Sequence, residues 1–176
     1  MKKAAAILFP LVTALGMSAM PLPAVAATAA SATDPASAAK SPLLGSWEVD
    51  TSRLPMPVEA RPKRVTITYS EVADGKWKTD VEIVDGDDNS IHGVAEFPLD
   101  GTQVEGHGSP EADRIAAKLP QPNVLITSLA KGTIPASTRI YAVSNDGQSM
   151  VETAVYFSNE GKSIMRTNYF NRTKPK

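Results

Sequence analysis

From Arg64 onward the chain keeps returning to one pattern, in which apolar and polar residues alternate for about eight positions before a glycine-bearing turn breaks the run. The clearest instance is Lys76 to Asp85, where Trp77, Thr79, Val81 and Ile83 face one way and Lys76, Lys78, Asp80 and Glu82 the other. A period of two belongs to an extended strand with one face in a core and one in water. Arg64 to Val72 does the same, with Val65, Ile67 and Tyr69 set against Thr66, Thr68 and Ser70, and Ala73-Asp74-Gly75 supplies the positive φ angles of a tight hairpin.

The rhythm persists along the chain. Gly86 to Asn89 turns into a run from Ser90 to Phe97, and Asp100-Gly101 into a short strand near Thr102 to Glu105. Asn123 to Ala130, Ser137 to Val143, Ser149 to Phe157 and Lys162 to Arg172 follow, separated by Lys131-Gly132, Asn145-Asp146-Gly147 and Asn159-Glu160-Gly161. Gly108 to Leu119 is ambiguous: Ser109, Pro110 and Glu111 look like a helix start, yet every neighbour is a strand, so Arg114 to Leu119 is predicted as a strand. With Gly45 to Asp50 at the front, the count is nine or ten strands at roughly ten-residue spacing. That spacing suits an up-and-down barrel or a sandwich. Thr51 to Pro62, with prolines at 55, 57 and 62, is predicted as a long loop or lid at one end of the sheet.

The N-terminus reads as a secretory signal. Lys2 and Lys3 form a basic region, Ala4 to Met20 an apolar stretch broken by Pro10 and Gly16, and Ala24-Val25-Ala26 a small-residue cleavage site. Residues 1–26 are therefore predicted to be removed after Ala26, which places the mature protein in the periplasm or outside the cell. Residues 27–41, rich in alanine and serine, are predicted as a disordered linker, and residues 42–173 as the folded domain. No other segment is apolar enough for a transmembrane helix. The chain has no cysteine, so its stability must come from an ordinary core. Loss of Lys2 and Lys3 from the 18 basic residues leaves the 19 acidic ones in excess by three, interspersed along the strands. A nucleic-acid surface needs a clustered basic stripe, and none is present.

Leu44-Gly-Ser-Trp-Glu-Val-Asp50, the proline-rich loop, and Pro62-Lys-Arg-Val-Thr-Ile-Thr-Tyr69 carry a resemblance. A glycine-x-tryptophan on the first strand, then a meander that closes on an arginine-bearing strand, resembles the calycin group of lipocalins and their small exported bacterial relatives. The resemblance spans Leu43 to about Arg172, and the later lipocalin motifs are missing. It implies an all-β fold, an antiparallel meander closing into a lipocalin-like β-barrel of eight to ten strands. It also implies a structural plug, in which Trp47, beside Gly45, is covered by an arginine of the last strand, Arg166 or Arg172. A cation over an indole contributes roughly 0.5 to 2 kcal/mol.

Trp77, Val65, Ile67, Val81, Ile83, Ile140, Val151, Val155 and Phe157 are the candidate inward residues, and hence the candidate binding surface for a small apolar ligand; in a small barrel they could equally be packed core. No catalytic set emerges. The two histidines, His92 and His107, could make zinc only with carboxylates such as Asp87, Asp88 or Glu105, and read as turn-proximal residues instead. Asp85, Asp87, Asn89 and Glu96 match a calcium loop at four positions, but Ser90 stands where glycine is required and the flanks are strands. Glu82, Glu96, Glu105 and Glu152 lie on strands, and parity assigns most of them to the solvated face. No serine sits in a G-x-S-x-G elbow. The function implied is a non-enzymatic carrier with no metal and no cofactor. The alternative is a filled barrel acting as a structural or interaction module, meeting an envelope protein partner through the proline-rich loop or a sheet edge. An envelope hydrolase or isomerase is the third reading.

Overall fold

The computed structural model describes residues 40–173, so the signal assigned to residues 1–26 and the linker as far as residue 39 lie outside the described residues. Ten strands follow one another: β1 (Gly45–Val49), β2 (Arg64–Glu71), β3 (Trp77–Val84), β4 (Ser90–Phe97), β5 (Val104–His107), β6 (Arg114–Gln121), β7 (Val124–Lys131), β8 (Ile134–Val143), β9 (Ser149–Phe157) and β10 (Ser163–Arg172). Each pairs antiparallel with the next, and β1 pairs with β10, closing the barrel. The all-β meander is as the alternation predicts, and closure decides between barrel and sandwich. The β4–β5 and β5–β6 ladders are the short ones, two residue pairs each.

Local chemistry accounts for the elements. Asp74 (φ 62°) and Gly75 (φ 69°) make the β2–β3 turn, the two positive φ angles that Asp-Gly was read to supply. The segment from Arg114 is a strand, and Pro120, which lacks an N–H, coincides with a register shift between Lys118 and Gln121. The helix-start signal just before it survives only as a bend, in which Ser109 Oγ accepts from the backbone N–H groups of Glu111 and Ala112, both at 3.3 Å. Gly108 (φ +78°) is obligatory there, since a Cβ would come within 1.9 Å of the His92 carbonyl oxygen.

One end of the barrel is sealed. Leu43, Trp47, Phe97, Leu125 and Met150 are fully buried there. Trp47 Nε1 donates to the Leu43 carbonyl at 2.8 Å, and the Arg172 guanidinium lies 4.0 Å from the indole centroid. Arg172 also donates to the carbonyls of Gly147 (2.5 Å), Leu44 (2.9 Å) and Pro42, tying the segment before β1, the end of β10 and the β8–β9 turn together. Gly45 (φ +109°) leaves room for it, as a Cβ would sit 3.0 Å from Arg172 Nη1. The plug arginine is therefore Arg172; Arg166 sits toward the other end of β10, its guanidinium 5.6 Å from the Tyr156 ring. The difference is register: Trp47 pairs with Arg172, whereas Arg166 pairs with Ala154. Above the plug an aromatic chain crosses the interior, Trp77 to Tyr69 (6.2 Å), Tyr69 to Tyr141 (5.8 Å) and Tyr141 to Phe170 (6.4 Å), the last two edge-to-face.

The parity of β8 and β9 is the reverse of that predicted. Ile140, Val151, Val155 and Phe157 point outward, with Ile140 37% and Phe157 68% exposed. Tyr141, Val143 and Met150 are the buried large residues of these strands and, with Phe170 of β10, form the floor of the interior. Side chains alternate strictly, so once those four face in, Arg139, Glu152 and Asn168 face in as well. Trp77, Ile67, Val81, Ile83 and Val65 do face inward.

Candidate functional site

The end opposite Trp47 opens into a cavity of about 400 Å³. The proline-rich loop folds over its mouth, with Leu54, Pro55, Met56 and Pro62 lining it. The loop is pinned by its own arginines. Arg61 donates to the carbonyls of Met56 (3.0 Å) and Ser52 (2.8 Å), and the Arg53 guanidinium packs 3.2 Å from the centroid of Tyr169.

Pairing registers arrange the cavity walls in rows. On β2, β3 and β4 the rows are Tyr69–Thr79–Ala95, Ile67–Val81–Gly93 and Val65–Ile83–Ile91. On β8, β9 and β10 they are Val143–Met150–Phe170, Tyr141–Glu152–Asn168 and Arg139–Ala154–Arg166. One wall is apolar toward the mouth, and the other carries an ionic cluster.

The cluster is continuous. Arg139 Nη1 is 3.0 Å from Glu152 Oε1, and Asn168 Nδ2 donates to Glu152 Oε2 at 2.5 Å. Arg139 Nη2 pairs with Glu111 Oε2, which the Ser109-capped bend carries over the mouth. Ser137 Oγ donates to Glu111 Oε1 (3.0 Å) and accepts from Arg139 Nε (3.3 Å). Glu152 is only 1% exposed, so its two partners replace nearly all the water it would otherwise hold. Burial opposes the charge of Arg139, but Tyr141, Glu152 and Glu111 outweigh it and hold the guanidinium protonated more firmly than usual. Burial likewise pushes the Tyr141 phenol above its ordinary value, and the negative charge of Glu152 pushes it further. Tyr69 is raised in the same way, by burial first and by Tyr141 and Glu152 after it.

Of the residues read from the sequence as a binding surface, Ile67, Val81 and Ile83 line the cavity, as does Val65. Trp77 lies below it, packed in the sealed core against Tyr69, while Ile140, Val155 and Phe157 are outside the barrel wall. Arg166, expected at the plug, lines the cavity instead. Arg139, Asn168, Glu111, Tyr69 and Tyr141 are not among the site residues read from the sequence, and Glu152 enters there only as one of four strand carboxylates. The available signal was that Arg139 shares the parity of Tyr141 and Val143, and Glu152 that of Met150.

The other sites considered in the sequence resolve into local structure. Asp85 accepts from the N–H groups of Asp87 (2.8 Å) and Asn89 (2.9 Å) with one oxygen and from the Asn89 side chain (3.0 Å) with the other. The Asn89 side chain and backbone bonds hold its carboxyl below the usual range. Lys63 pairs with Asp88 at 2.7 Å. His92 Nε2 is 2.6 Å from Asp80 on the outer face of β3 and β4. Among the described residues no group of three or more His, Cys, Asp or Glu side chains is placed to hold a metal ion.

No family model matches the chain, and no curated protein gives a significant match to it.

Proposed function

We propose that this chain is an exported carrier of the lipocalin-like, calycin type, which holds a small apolar molecule between the proline-rich loop and the aromatic floor. The observation that carries the reading is the 400 Å³ cavity, which opens at the end away from the Trp47 plug and has one wall of Val65, Ile67, Val81, Ile83 and Ile91. Cavities of this size, mostly apolar with a few convergent polar groups, suit small ligands. Burying an alkyl chain along such a wall contributes about 0.8 kcal/mol per methylene. Export rests on the basic, apolar and Ala-x-Ala segments of residues 1–26.

Native mass spectrometry of the protein purified from its own cell envelope tests the reading directly. A bound small molecule should appear as a discrete mass increment that Val81→Trp, which fills the cavity, removes. Both tryptophans lie outside the cavity lining, so displacement of a fluorescent fatty-acid analogue reports occupancy better than intrinsic emission does. Absence of any increment, together with no displacement and no thermal shift across a panel of alkyl lipids, would sink the carrier reading.

The outer face of β8 to β10 favours a second reading, that of an interaction module. Thr138–Val155–Met165, Ile140–Thr153–Thr167 and Ala142–Val151–Tyr169 form a surface with no charged strand residue, bounded by Arg53 over the Tyr169 ring, and Met165 and Phe157 are each 68% exposed. Apolar patches of this kind are where partners settle. Light scattering of the purified chain, before and after Met165→Lys, separates self-association from a monomeric carrier.

A further inference from the structure

We infer that the cavity selects an amphiphile with a cationic, hydrogen-bond-donating head, a protonated amine, seated against Glu111 and Glu152 with its alkyl chain along the β2–β4 wall. This rests on the carrier reading and specifies its ligand. The first observation is the charge count of the cluster. One guanidinium, Arg139, faces two carboxylates, Glu111 and Glu152, which leaves one negative charge unmatched within the cluster. In a partly desolvated cavity such a charge attracts a cation more strongly than it would in water.

Two neighbouring cations are engaged elsewhere, and a third, Arg166, lines the cavity at its mouth. Arg114 is 2.7 Å from Glu105, and Lys131 is 3.9 Å from Asp113. Arg166 is on the same wall, one row nearer the mouth than Glu152, but it is exposed and lies toward the Tyr156 ring, where water screens it.

The second observation is unused acceptor capacity facing the cavity. Each carboxylate accepts two protein hydrogen bonds, Glu152 from Arg139 and Asn168, Glu111 from Ser137 and Arg139. A carboxylate can take roughly four, and the open capacity lies on Glu111, whose side chain is 45% exposed. Tyr69 and Tyr141, 3% and 4% exposed, both line the cavity. The Tyr141 hydroxyl lies beside Glu152 and Arg139 and the Tyr69 hydroxyl beside Tyr141, so both phenols border the carboxylate cluster. An ammonium head brings three donors to acceptors that are already in place. A carboxylate head would bring a further negative charge beside two existing ones.

Three alkyl compounds of equal length separate the possibilities: dodecylammonium, dodecanol and dodecanoate, each below its micelle concentration at pH 7, competing with a bound fluorescent alkyl probe. Dodecylammonium should compete at least about tenfold better than dodecanoate, with dodecanol between them. Glu111→Gln should bring that ratio close to one; its side chain is 45% exposed, so the fold should tolerate the change. Glu96→Gln, on the outer face of β4, should leave the ratio unchanged and so excludes general attraction to an acidic surface. Equal or tighter binding of dodecanoate overturns the inference and leaves the carrier reading standing. A preference that survives both Glu111→Gln and Glu152→Gln also overturns it, because the head would then sit elsewhere. If none of the three compounds competes or raises the melting temperature, the carrier reading falls and the inference falls with it.

Discussion

The wall of β2 to β4 and the wall of β8 to β10 enclose the same cavity with opposite chemistries turned inward. On the first, valine and isoleucine face in, while Arg64, Lys78, Asp80, Glu82 and Glu96 face out. On the second, Arg139, Glu152 and Asn168 face in, and the outer face has no charged strand residue. The first wall follows the ordinary rule for a half-buried strand. The second breaks it at a cost, because desolvating an ion pair takes back much of what the pairing returns. A barrel that needed only stability would do as well with apolar residues there.

The two walls should therefore respond to substitution in different ways. The largest effect should come from Arg139→Met, which leaves Glu152 buried without its cation; a loss of about 3 to 5 kcal/mol is expected in chemical denaturation. The double variant Arg139→Met, Glu152→Leu should recover most of that loss or exceed wild-type stability, while its discrimination among charged and neutral amphiphiles disappears. A double variant as unstable as the single one would show that the pair holds the fold together.

On the opposite wall, Ile67→Ala should cost about 2 to 3 kcal/mol, at the low end for a buried isoleucine because a cavity already adjoins it. Its binding loss should be similar for every alkyl ligand whatever the head group, as titration with the same three compounds would show.

Alkali should act through the two buried phenols, Tyr141 on the polar wall and Tyr69 facing it from β2. Tyr69 and Tyr141 are raised above the ordinary value of 10.0, so the folded state holds these protons more tightly than the unfolded chain does. The stability this contributes is complete below about pH 10 and is lost as pH climbs toward the folded-state values. Tyr141→Phe should therefore flatten the decline in melting temperature above pH 10 and leave the neutral range little changed in slope. An unaltered alkaline limb would place the sensitivity elsewhere.

The smallest effect belongs to the outer face of the second wall. Phe157→Ser and Met165→Lys should each change stability by no more than about 0.5 kcal/mol, since both side chains are 68% exposed. A loss of several kcal/mol on thermal denaturation would mean that this face is covered in solution.

Much of the scaffold was legible in the residues. Trp77 to Ile83 alternate without exception, and Asp74-Gly75 names its own turn. The proline-rich segment was read as a loop over one end because three prolines cannot serve a ladder, and it does cover the mouth. The site was much less legible. On β9, Val151, Thr153, Val155 and Phe157 make a better apolar face than Met150, Glu152 and Ala154, so a rule that turns the more apolar face inward chooses wrongly. Arg166 and Arg172 were equivalent in the sequence, and only the pairing of Trp47 with Arg172 distinguishes them. Glu111 sits in a bend whose helix-start signal says nothing of the barrel mouth it overhangs.

The sequence by itself determined the strands, the turns between them and the absence of any disulfide, because these depend on side-chain periodicity, on the φ angles of a few residues and on cysteine content. The tertiary structure decided closure, the pairing of plug residues and which face of β8 to β10 looks inward. Those choices depend on what stands opposite: Glu152 can be buried only because Arg139 and Asn168, thirteen and sixteen residues away along the chain, arrive on the neighbouring strands to meet it.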